Sequence, residues 1–231
     1  MAVLILFVKV GVSAQEKIGE RYDKAMEHYP IRFEIKAGPS FANLAMNNAS
    51  TVNNKNIIPA WHVAGLVDIP LLPVLSVQGG IQVGMKGAKF TVGDNSSNTF
   101  TNVSTHPIYL EVPLNLVVKI PIVNKVKLFA GAGPYLAAGI GGKNKLDGQL
   151  LGVSFSNDNS IQYNSSDNSS NYNNDLRRFD AGLNFLAGLE ISHLSLNANY
   201  GYGLSNIKSS SDNNSAKYSN RVVSISIGVL F

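Results

Sequence analysis

Ten charged side chains recur inside otherwise apolar stretches of this 231-residue chain: Arg32, Glu34, Lys36, Lys86, Glu111, Lys119, Lys127, Arg178, Asp180 and Glu190. Six are basic and four acidic, so they can largely neutralise one another if the fold gathers them. Such a set has two uses. It can line a small pore and select what passes, or it can pair off into a network that holds an interior shut. Charges removed from bulk water must be paired or hydrated in either case.

Other chemistry has little to stand on. The four histidines, His28, His62, His106 and His193, share no metal-ligand spacing. There are no cysteines, which excludes disulfides, thiolate metal sites and cysteine nucleophiles. A serine nucleophile working with His62 is announced by no motif. The glycines of residues 131–135 and 139–142 precede no helix, so they form no phosphate-binding signature. No catalytic residue, cofactor or metal is expected, and no enzyme. The net charge of +4 and pI near 9.2 come from scattered Lys and Arg, not from a basic face, so no nucleic-acid partner is expected either.

The elements that must position the ten charges are strands. Charged residues make up 15% of the chain, against about 25% in soluble domains, yet the mean hydropathy is only +0.05. Asn, Ser and Gly stand where charge is missing. No run of roughly 20 apolar residues could form a membrane helix. Strict alternation starts after Pro30: Ile31, Phe33, Ile35 and Ala37 are interleaved with Arg32, Glu34 and Lys36. Successive strand side chains point to opposite faces, which puts one apolar and one charged face on this segment. The same pattern returns with Leu75 to Lys86, Ile108 to Lys119, Val126 to Ala138, Arg178 to Ile191, Leu194 to Gly203 and Val223 to Phe231, and more weakly with Ile57 to Val67.

Eight such segments, each near the roughly 9–11 tilted residues that cross a bilayer core, imply an all-β fold. It is expected to be an eight-stranded antiparallel up-and-down transmembrane β-barrel, closed because lipid offers an open edge no hydrogen-bond partners. Residues 68–73, 120–125 and 192–193 read as short turns. Residues 44–56, 88–104, 139–176 and 205–219 read as long Asn/Ser-rich loops. Sorting by length matches short periplasmic turns and long external loops, with both termini periplasmic. A soluble barrel of the lipocalin kind would turn its apolar face inward; the Gly-, Ser- and Asn-rich polar face and the sorted loops favour lipid outside.

Residues 1–14 read as a signal peptide, with an apolar Val3 to Val8 stretch and small residues before Gln15. Residues 15–30 read as a periplasmic leader and 31–231 as the barrel. Phe41, Trp61, Tyr109, Tyr135, Tyr200, Tyr202 and Phe231 are candidates for interfacial aromatic girdles.

In series, Tyr109–Leu116 (YLEVPLNL), Gly131–Leu136 (GAGPYL), Arg178–Leu183 (RFDAGL), Gly188–Glu190 and Asn199–Ile207 (NYGYGLSNI) resemble the Bacteroidetes outer-membrane β-barrel family that includes PorT-like and "porin family" proteins. The resemblance covers residues 31–231. It implies a cell outer-membrane location in a Gram-negative bacterium, with outer-membrane lipid as surroundings. Phe231 resembles the terminal aromatic assembly signal that the barrel-assembly machinery reads during insertion. The family implies no established activity. An eight-stranded lumen is barely wider than its own side chains, so the charge set is expected to plug it. The expected function is therefore a membrane-anchored structural or interaction scaffold that offers its external loops to a surface partner. The alternatives are a narrow porin-like channel for small solutes and, by the PorT resemblance, an accessory role with a secretion partner.

Overall fold

The computed structural model describes residues 30–47, 55–94, 99–150, 153–161, 163–164, 176–207 and 217–231. The expected signal peptide and all of the leader before Pro30 lie outside the described residues. Eight strands form the wall: β1 (Arg32–Asn47), β2 (Ile58–Leu72), β3 (Leu75–Met85), β4 (Thr99–Val123), β5 (Val126–Leu150), β6 (Phe179–Ile191), β7 (Leu194–Gly203) and β8 (Lys217–Leu230). Each pairs antiparallel with its sequence neighbours, and β1 pairs with β8. The ring is closed, as lipid requires of a spanning sheet.

The seam is continuous to its end. Phe33 N donates to Phe231 O at 3.2 Å, and Phe231 N donates to Phe33 O at 2.8 Å. Tight turns join β2 to β3, β4 to β5 and β6 to β7; Lys125 and Ser192 take positive φ in the last two. These turns and the β1–β8 seam end share one side of the ring, termed here the tight-turn end.

Period-2 alternation sets which face each residue takes. Val112, Leu136 and Ile227 point outward at 54%, 69% and 65% exposure, while Glu34, Glu111 and Asp180 on neighbouring positions are buried inside. Apolar outside and polar inside is the inverse of a soluble barrel, and an apolar surface this continuous belongs in hydrocarbon. The outward-facing set of the aromatic girdle candidates is Phe41, Trp61, Tyr200, Tyr202 and Phe231. The Arg221 guanidinium lies 3.6 Å from the Tyr202 ring centroid. Tyr109 and Tyr135 do not belong to it. Both are fully buried in the lumen, because they share the inward phase of Glu111 and Lys127 on β4 and β5.

Two of the expected long loops are largely strand. Residues 88–104 contain the strand Ala88–Asp94 paired to β4, and residues 139–176 begin with the end of β5, paired to Val153–Ser160. β4 and β5 run 25 residues each, far beyond the roughly 9–11 that cross a membrane. Above the lipid a β-hairpin needs no apolar outward face. Its Asn-, Ser- and Thr-rich sequence therefore loses the alternation that marks a strand and reads as loop.

Candidate functional site: a closed lumen with two ion-pair clusters

Inward-facing charge gathers at two heights. Near the tight-turn end, Arg32 on β1 donates to both carboxylate oxygens of Glu190 on β6 and to Asp68 on β2, with Nη2–Oε2 at 2.9 Å and Nη2–Oδ2 at 3.1 Å. Lys119 on β4 pairs with Asp68 and lies 3.6 Å from Glu190 Oε2. Lys127 on β5 lies 3.4 Å from Glu190 Oε1. Five strands are thus cross-braced through three cations and two carboxylates. Immediately above, Glu34 accepts from Gln78 Nε2 at 2.9 Å and from Ser195 Oγ, with the buried Lys36 beside it on β1.

The second cluster lies deeper toward the long-loop end. Lys86 Nζ is 2.9 Å from Glu111 Oε2 and 3.3 Å from Asp180 Oδ2. It also sits 4.3 Å from the Tyr135 ring centroid and 5.2 Å from that of Tyr109, a cation–π arrangement. One cation faces two carboxylates, and neutral donors supply the rest. Tyr135 OH and Asn220 Nδ2 donate to Asp180 Oδ2 at 3.2 and 2.9 Å, and Asn184 Nδ2 donates to Glu111 Oε1 at 3.1 Å.

Apolar side chains also pack together inside the lumen at two heights. Val117, Phe129 and Leu186 pack together between β4, β5 and β6. Over the second cluster, Leu44, Ala88, Ile161 and Ile207 form a lid, against which Tyr163 packs. Tyr163 OH donates to Gly141 O at 2.7 Å. Glycines make room for the rings: a Cβ on Gly188 would stand 2.6 Å from Phe129 Cζ, and one on Gly182 2.6 Å from Tyr135 Cε1. The internal cavity beside Ser40, His62 and Glu111 is about 20 Å³, room for a single water.

Nine of the ten charges singled out in the sequence face this lumen. Arg178 does not: it is exposed on a bend just before β6, where no pleat fixes its direction, and its carbonyl accepts from Gly139 N at 2.7 Å. Asp68 takes its place in the set. It escapes the sequence reading because residues 68–73 read as a turn, whereas β2 continues to Leu72 and keeps Asp68 in inward phase. Among the described residues the lumen then holds five cations (Arg32, Lys36, Lys86, Lys119, Lys127) and five carboxylates (Glu34, Asp68, Glu111, Asp180, Glu190). The interior is formally neutral.

His62 shares a 2.9 Å hydrogen bond with Ser40 Oγ inside the wall, with no space beside them for a substrate. His193 lies exposed in the β6–β7 turn and accepts from Leu230 N through its carbonyl. His106 lies on the upper part of β4, and His28 is outside the described residues. Among the described residues, no three His, Asp or Glu converge as a group that could hold a metal ion.

A family model for the outer membrane protein beta-barrel domain matches residues 14–209. No curated protein matches. Among solved structures, the chain is similar to Ail, the attachment invasion locus protein of Yersinia pestis, crystallised with the heparin analogue sucrose octasulfate, at 14% identity over 87% of this chain and 99% of that one, with a TM-score of 0.40. Neisserial surface protein A is 14% identical over 86% and 97%, TM-score 0.41. OprG from Pseudomonas aeruginosa is 11% identical over 87% and 95%, TM-score 0.43.

Proposed function

The chain belongs to the outer membrane protein beta-barrel domain family, and we propose that within the outer membrane it is a non-catalytic, membrane-anchored scaffold with a plugged lumen. The observation that carries this is the stack of inward groups: two ion-pair clusters, two apolar layers and an internal cavity of only about 20 Å³. An eight-stranded barrel has little interior to begin with, and here the described inward side chains fill much of it. The tight turns and both chain ends face the periplasm in this reading, and the long β4–β5 hairpin projects outside, where it and its neighbouring loops meet partners.

Purified protein in planar bilayers tests the reading. Wild-type barrel is expected to show no steady single-channel current. A steady conductance that changes on Glu111→Gln or Lys119→Gln would overturn the scaffold in favour of a narrow solute channel. The resemblance of Tyr109–Leu116 and Asn199–Ile207 to PorT-like barrels supports a secretion-accessory role as the alternative scaffold task. Normal cargo secretion in a deletion strain counts against that task and leaves the anchored scaffold standing.

A further inference from the structure

The tight-turn mouth of the lumen holds a cavity of about 170 Å³. An apolar cavity of about 150 Å³ accepts a benzene molecule, so this one can take a small organic solute. Its lining is mixed: the cations Arg32, Lys119 and Lys127 stand with apolar residues that include Leu72 and Val74. The carboxylate in the lining, Asp68, is bonded to Arg32 and Lys119 through a single oxygen.

Charge here is out of balance. Counting Glu190 beneath the cavity, three cations meet two carboxylates among the described residues. Lys127 carries the surplus. Its side chain is one-third exposed, and its ion-pair contact is 3.4 Å from Glu190 Oε1, an oxygen that Arg32 Nη1 already occupies. An ammonium group has three donors and gains most from an anion that can approach closely. We propose that this mouth binds a small organic anion, a phosphate or carboxylate head on a short body, with Lys127 as its principal ligand and Lys119 in support. The apolar lining residues take the body of the molecule. The same chemistry is offered by a free solute and by the headgroup of an anionic phospholipid.

Glycerol 3-phosphate is the probe, titrated calorimetrically into the full-length barrel in lipid-free micelles. Saturable binding is expected, weakened about tenfold by Lys127→Gln through loss of one charge-assisted contact. Lys145→Gln, on the projecting hairpin, should leave it unchanged, and glycerol should not bind. Heat-dependent gel mobility establishes that each variant is folded. Nanodiscs then separate the sources. Weaker binding in phosphatidylglycerol discs than in phosphatidylcholine discs means that a lipid headgroup takes the site, and equal binding in both means that a soluble anion does. Absence of saturable binding in micelles and in phosphatidylcholine discs overturns the proposal, as does binding that Lys127→Gln leaves intact.

Discussion

The two ion-pair clusters occupy one lumen and are unbalanced in opposite senses. At the tight-turn end three cations share two carboxylates; deeper inside, one lysine serves two carboxylates. The difference follows from water. Near the mouth a surplus lysine can remain partly hydrated, as Lys127 does at one-third exposure, and its cost is small. Deeper inside a cation is desolvated at greater expense, and besides Lys86 only Lys36, beside Glu34, is buried there among the lumen lysines. Tyr135, Asn184 and Asn220 instead direct neutral donors at Glu111 and Asp180. The carboxylates of both clusters are equally buried, so what differs is the access of the cations to water, from one-third exposure at Lys127 to almost none at Lys86.

That contrast can be broken by removing the central cation. Lys86→Met leaves Glu111 and Asp180 buried against each other and should lower stability by about 3–5 kcal/mol, read as the urea midpoint of folding into lipid vesicles. A midpoint close to wild type would mean that the centre is far wetter than its geometry implies. The triple change Lys86→Met, Glu111→Gln and Asp180→Asn keeps the volume nearly constant and removes all three charges. It should recover most of the loss, since buried ion pairs are often replaceable by neutral groups of similar volume. If it stays as unstable as Lys86→Met, packing around Tyr109 and Tyr135 is responsible and not charge.

At the mouth the same operation should hurt less. Lys119→Met leaves Asp68 with Arg32, and Glu190 with Arg32 and Lys127, so about 1–2 kcal/mol is expected for a partly hydrated member of a shared network. Lys127→Gln should lower stability by no more than about 0.5 kcal/mol, the usual scale for a partly exposed ion pair. A large loss there would erase the distinction between a hydrated and a dry cluster.

Much of the barrel is legible in the sequence because lipid enforces the period. Ile31 to Ala37 and Ile108 to Lys119 declare their faces residue by residue, and eight such runs plus sorted connections dictate closure. Legibility fails where lipid is absent or the pleat is interrupted. Asp68 is lost because Pro70 and Pro73 make residues 68–73 look like a turn, although Pro70 stands at a register shift between β2 and β3, an irregularity that tolerates proline. Arg178 is counted in because alternation extrapolates from Asp180 across a bend. Leu186 belongs to a run read as polar inside, and its place against Val117 and Phe129 emerges only from the neighbouring strands. The partner of each charge is a matter of register across strands, which no single segment encodes.

The seam between β1 and β8 has a consequence for how the molecule can be rearranged. Phe33 and Phe231 exchange main-chain hydrogen bonds, so the two described ends of the wall lie side by side at the tight-turn rim. A short linker bridging them, with the chain reopened in one of the distal connections, rebuilds the same ring in a new order. Ends lying close together at a surface are what such permutation needs. The barrel's identity resides in its cyclic neighbour list, and the position of the break in the chain is incidental to it.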